Sequence, residues 1–137
     1  MSIVYLKRTE TFSSAHRLNS TKLSEQENKE IYSKCNNPNG HGHNYEVTVT
    51  LRGPLNETTG MVYNLSDLKN EMKYVVEMLD HKNLDKDVSY FKEVVSTTEN
   101  LTIFFWKEMK KNMQNSDLLY EVEIKETNKN IFSYKGE

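Results

Sequence analysis

Asn44-Tyr45-Glu46-Val47-Thr48-Val49-Thr50-Leu51-Arg52 alternates without a break, apolar at Tyr45, Val47, Val49 and Leu51 and polar at every position between. Side chains of an extended chain point to opposite faces in turn, so a period of two predicts a strand with one buried face. Gly53-Pro54 ends the run, and Thr58-Thr59-Gly60 marks a turn after it. Upstream, Ile3 to Phe12 alternates more loosely but is rich in β-formers. It predicts a first strand running toward His16. Between them Asn19 to Lys34 is polar and charged and reads as a surface excursion, although Ser24 and Glu27 have the spacing of a capping box for a short helix.

Downstream the period changes. Asn64 can cap a helix with Asp67 in its opening turn, and Leu68, Met72, Val75, Val76 and Leu79 then share one stripe. Ser96-Thr97-Thr98-Glu99 has capping-box form for a second helix. Leu101, Phe104, Phe105 and Glu108 lie along one side of it, and Lys107, Lys110 and Lys111 sit late, where the helix dipole favours cations. From Leu118 to Glu126 alternation returns, with Leu118, Tyr120, Val122 and Ile124 on one face, and Ile131 to Tyr134 closes the chain as a short strand. The order strand, strand, helix, helix, strand, strand predicts one α+β domain over residues 1–137. Its sheet would be antiparallel and four-stranded, with both helices on one face. The edges of so small a sheet stay exposed unless other copies cover them.

Composition limits the partners. In 137 residues, 36% are hydrophobic and 28% charged, and a net charge of −2 with lysines and acids mixed throughout leaves no basic footprint for nucleic acid or an anionic membrane. That apolar share is lean for a self-sufficient core and points to faces buried against further copies of the chain. Cys35 is the only cysteine, so no intrachain disulfide can form, which fits a reducing compartment such as the cytoplasm. The apolar stretch before Lys7 and Arg8 is too short for a signal peptide, and Leu101 to Trp106 is far below membrane-spanning length.

Chemistry concentrates in a few places. In Gly40-His41-Gly42-His43 the two histidines stand two apart, so on a strand both imidazoles point to one side and can reach one ion. His16 can add a third if its strand pairs beside theirs. Three imidazoles at about 2.0–2.1 Å with one position open describe a catalytic zinc site. A glycine-rich turn with two exposed histidines and a third in the core is an equal reading of the residues alone. Cys35, in Cys35-Asn36-Asn37-Pro38-Asn39-Gly40, admits three readings: a buried thiol, a fourth metal ligand that would make the site structural, or a thiolate base. Asp80-His81 reads either as a helix-end pair or as a proton relay. Glu126 continues the row Leu118 to Ile124 and so puts a carboxylate on the face marked as buried. There it needs a partner, and the paired N–H groups of a guanidine-like heterocycle would suit it unless the strand has frayed into solvent. Thr97 and Thr98 read first as helix caps, with a ligand role as an addition.

These motifs together resemble the 6-pyruvoyl-tetrahydropterin synthase family. The resemblance runs through Phe12-Ser13-Ser14-Ala15-His16-Arg17-Leu18, Cys35 to Tyr45, Leu79-Asp80-His81-Lys82-Asn83-Leu84-Asp85, Val95 to Asn100 and the ending Tyr134-Lys135-Gly136-Glu137. It implies a tunnelling fold: a four-stranded antiparallel sheet with two helices between its second and third strands, assembled as a homohexamer of two trimers with sites at subunit interfaces. It implies zinc on His16, His41 and His43, Cys35 as proton acceptor, Asp80 and His81 as relay, Glu126 as pterin anchor also joined to that relay, and Thr97 and Thr98 lining the pterin pocket. The implied reaction converts 7,8-dihydroneopterin triphosphate to 6-pyruvoyl-tetrahydropterin with release of triphosphate, on the route to tetrahydrobiopterin. Magnesium accompanying the triphosphate would be a second cation, and Lys34, Arg17 and Lys82 are phosphate-binding candidates by position. Lys7-Arg8-Thr9-Glu10-Thr11 departs from the Arg-Arg-x-Ser kinase site of some relatives. Two alternatives remain at this point: 6-carboxytetrahydropterin synthase, and a non-catalytic zinc module closed by Cys35.

Overall fold

The alternating stretch folds as a strand and reaches further at both ends than its pattern. In the computed structural model, which describes residues 1–137, β1 covers Ile3–His16 and β2 covers His41–Pro54. The two pair antiparallel along their whole length, with Phe12 opposite Tyr45, Ser14 opposite His43 and His16 opposite His41. The polar stretch between them does carry a helix, α1, Glu25–Tyr32. Its capping box is complete, with the Ser24 hydroxyl accepting from the Glu27 N–H and the Glu27 carboxylate accepting from the Ser24 N–H. Two local hydrogen bonds thus hold a helix that has almost no apolar face to bury.

After β2 come α2 (Leu65–Leu79), a two-residue strand β3 (Lys82–Asn83), a single-turn helix α3 (Leu84–Asp87), α4 (Thr98–Asn112), β4 (Leu119–Lys125) and β5 (Ile131–Tyr134). The sheet order is β3-β1-β2-β4-β5. The expected four-stranded antiparallel sheet is therefore present but extended to five strands and mixed, because β3 pairs parallel to β1 at Ser14 and Ala15. Four helices stand where two were expected. The addition of β3 has a local cause. His81 turns the chain with φ +60°, its N–H donates to the Ser13 carbonyl at 2.6 Å, and the next residues are carried alongside β1.

Two further expectations shift by one residue. Thr97, not Ser96, caps α4, accepting from the Asn100 N–H, and Ser96 is drawn into the interior instead. The apolar row of β4 changes parity at an irregularity opposite Thr50 and Leu51. Leu119, Val122 and Ile124 face the core, whereas Leu118 ends a preceding 3-10 turn and Tyr120 packs edge-on against Tyr5 on the other side. Strict alternation read from sequence cannot register a bulge, since one extra residue exchanges the faces. The core lies between the sheet and α2 with α4. Tyr45, Val47, Val49, Leu51, Val122 and Ile124 meet Leu68, Met72, Val75, Leu79, Leu101, Phe105 and Met109. No helix is long and apolar enough to cross a membrane.

Candidate metal centre

The register of β1 with β2 decides the site. Cross-strand partners share a face, so His16, His41, Ser14 and His43 all point toward the helix side, beyond the ring of Tyr45. One ligand nitrogen from each of His16, His41 and His43 lies within 4.8 Å of the others. Gly40 makes the close approach possible: a Cβ there would sit 3.0 Å from the His16 carbonyl oxygen, and its φ is +76°. Cys35 does not belong to that cluster, which removes the geometric basis for a site closed by cysteine.

The tautomer of His16 follows from its surroundings. Its Nδ1 lies 2.7 Å from the Ser96 carbonyl, which can only accept, so Nδ1 carries the proton and Nε2 presents a lone pair. That Nε2 stands 3.1 Å from His41 Nε2. Nitrogens on a tetrahedral zinc with arms of about 2.0–2.1 Å are roughly 3.3–3.4 Å apart, so the spacing is close to that of two ligands of one ion. A proton between His16 and His41 would leave His43 to the Glu126 carboxylate alone, whereas a dication draws on all three rings. Burial holds the pKa of His16 below its ordinary value, with the two neighbouring imidazoles adding to the effect, although the Ser96 hydrogen bond opposes it. Burial followed by the neighbouring His43 does the same for His41. Both shifts favour the neutral imidazole that a metal requires. The residues present fit a metal.

Glu126 follows β4 and points to the same side as Ile124, into this site. Its Oε1 accepts from Thr98 Oγ1–H at 2.8 Å and lies 3.5 Å from His43 Nε2. Its side chain is 18% exposed, so the strand has not frayed into solvent. Thr98 is buried in the first turn of α4, while Thr97 serves as the cap. The Tyr45 hydroxyl is buried without a hydrogen-bond partner in this neighbourhood.

Cys35 sits on the 3-10 turn Ser33–Asn36, and its carbonyl accepts from the Leu18 N–H at 2.8 Å. Asn36 ties the same loop down, donating to the Leu18 carbonyl at 2.7 Å and accepting from Arg17 Nε at 2.8 Å through its own carbonyl. The loop is thus fixed to the chain just after His16, and Arg17, expected by position to reach phosphate, is partly committed there. Asp80 and His81 pair as expected, with Nδ1 to Oδ2 at 3.0 Å. The Ser13 N–H donates to the other Asp80 oxygen at 2.9 Å and, as the main cause, holds that carboxyl below the usual range. His81, however, lies with Thr11, Ser13 and Asn44, on the sheet face opposite the three metal-binding candidates. One chain therefore gathers His16, His41, His43, Glu126 and Thr98, whereas Asp80 and His81 lie outside that cluster, His81 lining a neighbouring cavity that His43 also borders.

The sequence model of the 6-pyruvoyl tetrahydropterin synthase family matches residues 5–137. The chain belongs to this family. It is 57% identical to the 6-pyruvoyl tetrahydrobiopterin synthase of Poecilia reticulata, over 98% of this chain and 92% of that protein. With the Homo sapiens enzyme of the same name it shares 51% identity, over 96% and 91%. The solved structure of Caenorhabditis elegans 6-pyruvoyl tetrahydropterin synthase superposes with a TM-score of 0.99 at 55% identity, covering 100% of this chain and 98% of that one.

Two residues linked to this histidine cluster by hydrogen bonds carry no signal of it in the sequence. Ser96 was absorbed into a capping motif, yet its carbonyl orients His16. Asp85, taken only as the end of the Asp80 motif, accepts from Ser96 Oγ–H. Neither has a periodic signal, because both act through contacts between segments remote in the chain.

Proposed function

We propose that this chain is a metal-dependent lyase that converts 7,8-dihydroneopterin triphosphate to 6-pyruvoyl-tetrahydropterin and releases triphosphate. The observation that carries this reading is the placement of the three imidazoles beside a half-buried carboxylate, 3.5 Å from His43 Nε2 to Glu126 Oε1. A metal on His16, His41 and His43, zinc by the nature of the donors, would supply Lewis acidity toward the side-chain oxygens of the substrate. Glu126 receives the paired N–H groups of the pterin ring, with Thr98 keeping the carboxylate oriented, and Thr97 and Thr98 bound the pocket. Cys35 removes and returns protons on the substrate side chain, and Asp80–His81 passes protons at its other side. Magnesium would travel with the triphosphate.

Because His81 stands across the sheet from the three imidazoles, the relay is completed by a neighbouring copy rather than by the same chain. Apolar residues left in water support such an assembly: Ile3, Val4 and Tyr5 at the start of β1 and Ile131 on the edge strand β5 are all exposed. We take the assembly to be a homohexamer of two trimers with sites at the interfaces, working in the cytoplasm.

Incubation of the metal-loaded protein with dihydroneopterin triphosphate is expected to release triphosphate and form an oxidation-sensitive tetrahydropterin. A metal-replete protein that leaves the substrate intact would overturn the proposal. Glu126→Gln tests the anchor. The amide exchanges one acceptor for a donor, so one pterin N–H faces another N–H, and an unpaired buried donor costs about 1–3 kcal/mol. Calorimetry with a non-reactive pterin should show binding weakened by about tenfold or more at unchanged metal content. Equal affinity in variant and parent would make Glu126 an ordinary strand end.

A further inference from the structure

One carboxylate holds two groups on either side of His16. Asp85 Oδ2 accepts from the backbone N–H of Arg17, the residue that follows His16, at 2.6 Å. Asp85 Oδ1 accepts from Ser96 Oγ–H, also at 2.6 Å. Ser96 is in turn the residue whose carbonyl accepts the His16 Nδ1–H. Both His16 (1% exposed) and Ser96 (0%) are out of water, so no solvent molecule stands ready to replace either bond. The mount is firm. Asp85 lies in the first turn of α3, where the Asn83 side chain accepts from its N–H, and the adjacent Leu84 is fully buried in the core.

We propose that Asp85 is a positioning residue for the metal, locking the His16 ring so that Nε2 stays aimed at His41 and His43. The inference rests on reading those three histidines as the metal site. Metal-bound histidines commonly donate their second N–H to a carboxylate or carbonyl, and loss of such a partner typically lowers metal affinity by about 10–100-fold. Here the partner is the Ser96 carbonyl, and the carboxylate acts one bond further out. It holds Ser96 by its hydroxyl and the backbone leaving His16 by its N–H. Without Asp85, both ends of that arrangement are released and the ring can turn about its side-chain bonds. A carboxylate that merely tied α3 to β1 would affect stability and leave metal affinity alone.

The test is metal affinity, read by competition of the apo protein with a chromophoric zinc chelator, together with the visible spectrum of the cobalt(II)-loaded protein. Asp85→Ala should bind zinc about 10–100-fold more weakly than the parent and show altered cobalt bands. Ser96→Ala, which keeps the carbonyl and cuts only the link to Asp85, should fall between the two. Parent-like zinc affinity and cobalt bands in both variants, with only the thermal midpoint lowered, would overturn the assignment. If Asp85→Ala does not fold, Ser96→Ala decides alone on the same criteria. His41→Ala separates this failure from that of the underlying site. If it alone loses zinc, only the role of Asp85 is overturned. If it too binds zinc like the parent, the three histidines are not the metal site and the inference falls with them.

Discussion

His41→Ala and His43→Ala are each expected to strip the protein of metal at micromolar concentration and to abolish turnover. On the proposed site each imidazole would be one of three protein donors, the three whose ligand atoms converge. Zinc held by four ligands in small domains is worth about 10–16 kcal/mol, so one ligand carries on the order of 3–4 kcal/mol, or about 10²–10³-fold in affinity. The choice of residues matters. His16 is 1% exposed and hydrogen-bonded to Ser96, so its removal would leave a cavity and an unpaired carbonyl and confound metal loss with misfolding. His41 and His43 are only partly buried at the start of β2, and alanine there preserves the strand. Elemental analysis after dialysis gives the metal content, and far-ultraviolet circular dichroism gives the fold. Full zinc occupancy in the double variant would remove the three-histidine site from consideration.

Cys35→Ala is expected to separate chemistry from metal binding. The thiol does not belong to the cluster of converging ligand atoms, and it is carried on a loop fastened to β1 through backbone and Asn36 hydrogen bonds. Alanine keeps those bonds, since none uses the sulfur. Zinc content and pterin affinity should therefore match the parent, while turnover falls by roughly 10²–10⁴-fold, the usual contribution of a positioned general base. Near-normal turnover with zinc in place would move the base elsewhere, with His81 of a neighbouring copy next in line. Loss of zinc would instead revive the reading of Cys35 as a ligand. The two outcomes are distinguished in a single preparation by measuring metal and rate together.

The difference between these two variants reflects what could be read in a linear sequence. Tyr45 to Leu51 has period two because one face of β2 is buried, and a period survives in the chain whatever lies beside it. The same rule put His41 and His43 on one side, and it carried Glu126 to the inward face although the row before it slips at Tyr120. The stripe from Leu68 to Leu79 and the Asn64 cap are likewise local, and both stand in the structure as read. Local signals were also misjudged. The capping box at Ser24 makes a helix of a stretch taken for a surface excursion, because two hydrogen bonds can hold a short helix that has little to bury.

What the sequence by itself determined is the four antiparallel strands and two long helices with their order, the inward face of β2 and the placing of His41 and His43 on one side of it. The tertiary structure alone decided how segments distant in the chain meet. His16 reaches His41 because β1 and β2 pair in one register out of many, and a slip of one residue would turn His16 to the other face. The parallel addition of β3, the bulge that brings Leu119 rather than Tyr120 into the core, and the position of His81 across the sheet from the three imidazoles also depend on that pairing. So does the link from Asp85 through Ser96 to His16, which joins residues up to 80 positions apart. Periodicity records which side of an element is dry. It carries no information about which other element supplies the dry neighbour, and that is set by packing the whole chain at once.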